Sequence, residues 1–111
     1  MIDHYKIIDI ICLVYDTSYK EIIKPYRNWK YIYPRYACYW FLRKYTSLTT
    51  TKIGLLFGKK HSTVINAGKP YDDLLFTDKT VKEKHEEIER RLVRNNIPYS
   101  VNGLIEEYDK W

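Results

Sequence analysis

A short apolar stretch, Ile53 to Phe57, is followed by Gly58, two lysines and a second short apolar stretch, and this spacing leaves the chain little choice of local fold. Gly58 ends the first helix, because glycine takes the left-handed C-cap conformation without strain. His61-Ser62-Thr63 opens a second helix that holds Val64, Ile65 and Ala67. Two short helices joined by a Gly-containing turn of about three or four residues form a helix-turn-helix. Gly68 and Pro70 should end or kink the second helix early. The stretch from Gly54 to Lys60 resembles a phosphate-binding loop, but it is one residue short, His follows the lysine pair and no strand precedes it. Nucleotide hydrolysis is therefore not expected.

The rest of the chain also reads as helical. Ile7, Ile11 and Val14, widened by Ile8, Ile10 and Leu13, predict a buried helix over residues 3–15. Ser18 and Glu21 have capping-box spacing and predict a short helix over 19–24, stopped by Pro25. Residues 25–33 (PYRNWKYIY) lack a helical period and read as an exposed basic and aromatic loop. Pro34 fits the first position of a third helix, with Ala37, Cys38, Phe41, Leu42 and Tyr45 inward. A Thr-rich turn leads to the helix-turn-helix, and a polar loop follows it. Thr80 and Glu83 form a second capping-box pattern ahead of a helix over about 79–95, carried by Val81, Ile88 and Leu92. Leu104, Ile105 and Tyr108 predict a last short helix in a tail, 96–111, that follows a domain over 1–95. The expected fold class is all-α, a bundle of about six helices.

Charge narrows the function. From residue 22 to residue 71 there is no acid, while ten residues are Lys or Arg; residues 72–111 carry ten acids against seven basics. A formal charge of +5 concentrated in this way describes a face for a polyanion, of which nucleic acid is the commonest. No apolar run approaches the ~20 residues that span a membrane. Asp3 and Asp9 stand where a signal peptide carries basic residues, so a cytoplasmic location is expected. Cys12 and Cys38 lie far apart in apolar patterns and read as buried thiols of a reducing compartment. His4, His61 and His85 have no metal-ligand spacing, neither cysteine joins them, and no catalytic constellation or cofactor is suggested. The twelve Tyr and three Trp fit a Tyr-padded core, a protein interface, or stacking on single-stranded nucleic acid.

The strongest constellation is Lys59, Lys60, His61, Ser62 and Thr63 at the start of the second helix. Helix N-termini attract phosphate. The hydroxyls, the imidazole and the lysines can reach base edges in the major groove, Lys60, His61, Ser62 and Thr63 standing nearest, although Ser62 and Thr63 could also serve as helix caps. The segments YPRYACYWFLRKYT and TTTKIGLLFGKKHSTVINA also carry a longer pattern: Pro34, Arg35, Ala37, Leu42, Arg43, Thr46, Ile53, Gly54, Phe57, Gly58, His61, Ser62, Thr63, Val64 and Ala67. In these residues the chain resembles the C-terminal DNA-binding domain of the bacterial replication initiator DnaA, over roughly residues 3–92. The resemblance implies a double-stranded DNA-binding protein in replication initiation or its control. It implies major-groove contacts from residues 61–67, with Asn66 among them, and contacts from Thr50 and Thr51. Arg35 and the 25–33 loop, with Arg27 and Lys30, would grip the backbone or the neighbouring minor groove, and Arg43, Lys52 and Lys69 would bind phosphates.

The departures from the pattern have consequences of their own. The turn is one residue shorter. Lys59-Lys60 replaces an Arg-Asp pair whose Asp helps that family read bases, and Thr50-Thr51 replaces a Leu-Pro pair that touches thymine methyls. Tyr33 stands where some members have a minor-groove Arg, and Pro70 interrupts a helix that usually runs on. The 111 residues contain no ATPase segment, so a stand-alone binding half is expected, in a cell or on a mobile element. Absence of a dimerisation heptad predicts a monomer. The rival readings are a transcription regulator on the same scaffold, or a module docking on a replication or transcription protein through the acidic C-terminal half and Trp111.

Overall fold

The computed structural model describes residues 3–97. Among them are seven helices and no strand: α1 (His4–Val14), α2 (Tyr19–Ile22), α3 (Trp29–Tyr45), α4 (Thr50–Leu56), α5 (His61–Asn66), α6 (Gly68–Thr77) and α7 (Lys79–Arg94). The expected tail helix on Leu104, Ile105 and Tyr108 lies outside the described residues.

Three helices end in the same way, and these ends direct the chain. At Asp16, Gly58 and Asn96 the backbone turns into the left-handed region, with φ of 53, 65 and 57°. The next N–H reaches back to the helix each time: Thr17 to the Cys12 carbonyl at 2.9 Å, Lys59 to that of Gly54 at 2.8 Å, and Ile97 to that of Leu92 at 2.9 Å. This is the Schellman closure, for which Gly is the usual residue and Asn or Asp the tolerated substitute. Ile97 and Leu92 are both buried, which supplies the apolar contact that accompanies it.

Two starts differ from the sequence expectation. Helix α3 begins five residues before Pro34, because the Asn28 side chain accepts from the Lys30 N–H at 3.0 Å and caps it there. Pro34 falls in the second turn, where it removes the donor that would pair with the Lys30 carbonyl without stopping the helix. The 25–33 segment is thus half loop and half helix. Helix α7 is capped by Asp78, which accepts from the Val81 N–H at 3.1 Å, and not by Thr80 with Glu83.

The polar loop expected after the helix-turn-helix is instead α6. It starts at Gly68, with Ala67 capping both α5 and α6, because Pro70 has no N–H to give the Asn66 carbonyl and the ladder breaks there. Tyr71 turns fully inward, its hydroxyl 2.8 Å from His85 Nδ1 on α7. Around this pair lie Phe41 and Trp40 of α3, with ring centroids 4.8 and 4.7 Å from that of His85. The five inward residues expected of α3 are all buried, as are Ile7, Ile8 and Ile11 of α1 and Val81, Ile88 and Leu92 of α7. One core therefore joins α1, α3, α6 and α7, and the α4–α5 pair is mounted on it. Both cysteines are buried and unpaired; burial pushes the Cys12 thiol up to about 11 and raises Cys38 well above its ordinary value, so neither is a ready thiolate.

Candidate nucleic-acid interface

The α4–Gly58–α5 unit is fixed by an unusually close approach. A Cβ on Gly54 would meet the Lys59 carbonyl oxygen at 2.5 Å, so only glycine lets the turn fold back on α4. Thr49 caps α4 by accepting from the Lys52 N–H at 3.2 Å. At its other end Phe57 is wedged edge-on between Tyr39 at 5.2 Å and Tyr19 at 5.8 Å, and the Tyr19 hydroxyl donates to the Leu56 carbonyl. These contacts hold the turn to α2 and α3.

Helix α5 buries Val64, with Ala67 just beyond its end, and exposes the opposite side: His61, Ser62, Thr63, Ile65 and Asn66. Its N-cap is Lys60, which makes no side-chain capping bond. Ser62 and Thr63 are therefore not spent on capping and present their hydroxyls outward. With six residues α5 carries a small dipole, so its chemistry lies in side chains. A hydroxyl pair, an imidazole and a carboxamide on one exposed face offer both donors and acceptors, as the reading of base edges needs.

The predicted backbone contacts separate into three groups. Arg27, Lys30, Lys52, Lys59 and Lys60 stand on the 22–71 segment, and among the described residues no carboxylate pairs with them. Lys69 is exposed but bridged to Asp73 at 2.8 Å, and Arg43 is half-buried. Arg35 is a correction. It is 6% exposed, and its guanidinium donates to the Lys24 carbonyl at 2.9 Å and to the Tyr26 carbonyl, so it shapes the 24–26 turn from inside and does not face outward. Thr51 is exposed and Thr50 half-buried at the start of α4.

Sequence reasoning missed Leu55, which is 73% exposed on the last turn of α4, and the outward position of Ile65. Leu55 has no assigned face within its apolar stretch and Ile65 reads alongside Val64 and Ala67, because a short helix shows too few periods to separate its faces.

The sequence matches the family described as the bacterial dnaA protein helix-turn-helix over residues 4–69. The chain belongs to that family. The match runs from α1 through the two helices of the motif and stops at the start of α6. The chain is similar to the chromosomal replication initiator protein DnaA of Caldanaerobacter subterraneus subsp. tengcongensis, with 29% identity over 82 residues, 74% of this chain and 18% of that protein. It is similar to the protein of the same name from Bacteroides thetaiotaomicron, with 30% identity over 87 residues, 78% of this chain and 18% of that protein. It thus spans less than a fifth of the length of these relatives. Among the described residues no His, Cys, Asp and Glu group could hold a metal ion, and no helix is long and apolar enough to cross a membrane.

Proposed function

We propose that this chain binds double-stranded DNA as a monomer, without enzymatic activity, in replication initiation or its control. Helix α5 enters the major groove, and Lys60, His61, Ser62, Thr63 and Asn66 reach base edges. Arg27, Lys30, Lys52 and Lys59 neutralise phosphates, with Arg43, Thr50 and Thr51 close to the same backbone. Lys69 joins them by exchanging Asp73 for a phosphate, at little cost because exposed ion pairs are worth little. The observation that carries this reading is the exposed polar face of α5, free of capping duty, on a turn fixed by Gly54 inside an acid-free segment. The setting is taken from the relatives, which are named chromosomal replication initiators.

Docking on a replication protein through the acidic half has less support. The Glu87 carboxylate is already shared by Arg90 at 2.9 Å, Arg91 at 2.7 Å and Arg94 at 3.2 Å, so this helix presents mixed charge and no acidic face.

Selection from randomised duplexes tests the proposal. The native protein should enrich a motif; Lys59→Ala should weaken all sequences alike, and His61→Ala should relax the preference at a position of that motif. Equal losses on every sequence for both variants would contradict base readout by α5.

A further inference from the structure

Away from the helix-turn-helix, a cleft of about 550 Å³ opens where the end of α1 meets the starts of α3 and α7. Trp29 and Tyr33, one turn apart on α3, line it, with ring centroids 6.2 Å apart and planes inclined by 46°. Trp29 is 66% exposed, so core packing does not account for it. Tyr15 also lines the cleft, and its buried hydroxyl has no hydrogen-bond partner among the described residues. Lys84 Nζ lies 5.1 Å from the Tyr15 ring centroid and donates to the Val14 carbonyl at 3.2 Å. Asp16 reaches the cleft from the left-handed turn that ends α1, and Lys30 reaches it from α3.

We propose that this cleft takes an unpaired nucleobase, so that the protein holds a single strand of nucleic acid at a site distinct from its duplex-reading helix. The chemistry of the lining matches a base and its backbone together. Every base has a π-face to stack on Trp29 and Tyr33, and stacking of this kind is tolerant of sequence. A base edge supplies the partner that the Tyr15 hydroxyl lacks. The Asp16 carboxylate accepts from an exocyclic amino group, which cytosine has and thymine does not. Lys30 is placed for an adjoining phosphate, a role it shares with duplex binding. The cleft is large enough for a base with its sugar, since small-ligand sites start at about 300 Å³. The lining sets Asp16 and Asp78 against Lys30 and Lys84. Trp29, Lys30 and Tyr33 belong to the same acid-free segment as the duplex-binding surface, and in that respect the inference leans on the proposed function.

The test is fluorescence anisotropy of the full chain with labelled oligonucleotides of about 20 nucleotides, all-dC and all-dT single strands and a duplex, using native protein, Trp29→Ala and Trp29→Phe. The all-dC strand should bind, and bind better than all-dT. Trp29→Ala should weaken single-strand binding about tenfold and duplex binding by much less, and Trp29→Phe should restore most of the single-strand loss. The inference is overturned if the native protein ignores single strands, if all-dT binds as well as all-dC, or if Trp29→Ala binds them like the native chain. Equal losses on duplex and single strand in Trp29→Ala would also overturn it, by placing both on one surface. Trp29-dependent single-strand binding without duplex binding would support this inference while contradicting the proposed function.

Discussion

His85 is the buried group through which acid reaches the core. Desolvation among Trp40, Phe41 and Tyr71 holds its imidazole down to about 4, and the neutral ring pairs with the Tyr71 hydroxyl. Glu89, 3.7 Å away, does not offset that desolvation. The unfolded chain binds this proton at its ordinary pKa of about 6.5, so the contribution of His85 is fully present above that pH and is lost as pH falls toward 4. The loss by pH 5 should be about 2 kcal/mol. Urea unfolding at pH 7 and pH 5 should show it, and His85→Gln should flatten the difference; an unchanged slope would remove His85 from the acid response. Gly54 sets a second limit at this scale. Gly54→Ala forces the Lys59 carbonyl away and should cost about 1–3 kcal/mol as overpacking. It should lower the melting temperature and weaken duplex binding together, because the turn that aims α5 must shift. A thermal melt equal to the native one would contradict the close approach.

At the scale of elements, caps decide where helices lie, and some caps are more visible in sequence than others. Asp78→Ala should destabilise by about 1 kcal/mol, as loss of an N-cap does, whereas Thr80→Ala should be nearly neutral; denaturant midpoints of the two variants check this. Ser18 and Gly58 were legible, because each serves a helix whose periodic residues begin or end beside it. Asn28 was not, because Pro34 offers a more familiar helix start and draws attention five residues downstream. Helix α6 escaped because Gly68, Pro70, Asp72 and Asp73 are residues of loops, while its inward positions, Tyr71 with Leu74 and Leu75 beside the core, span too few turns to outweigh them. For the candidate site the same logic holds. The exposed face of α5 follows from the helix-turn-helix spacing. The burial of Arg35 does not, since a guanidinium that closes a neighbouring turn through two carbonyls carries no periodic signature.

For the molecule as a whole, the distribution of charge connects fold to function. Helix α7 pairs much of its charge within itself, with Glu87 pulled down to about 2 by the arginines that donate to it. In the segment from 22 to 71 Lys24 pairs with Glu21, Lys69 with Asp73 and Arg35 with two carbonyls, and Arg43 and Lys44 have contacts of their own. Five basic residues remain for a polyanion: Arg27, Lys30, Lys52, Lys59 and Lys60. On the proposed reading Arg27, Lys30, Lys52 and Lys59, with Lys69, meet a defined number of phosphates while Lys60 faces the bases. Counterion release turns that number into a measurable slope. Anisotropy of one labelled duplex across a range of salt concentrations measures it most directly. With about five phosphates neutralised, the logarithm of affinity should fall against the logarithm of salt with a slope of roughly −4 to −5. Duplex binding that does not change with salt, or no duplex binding at low salt, would contradict the account.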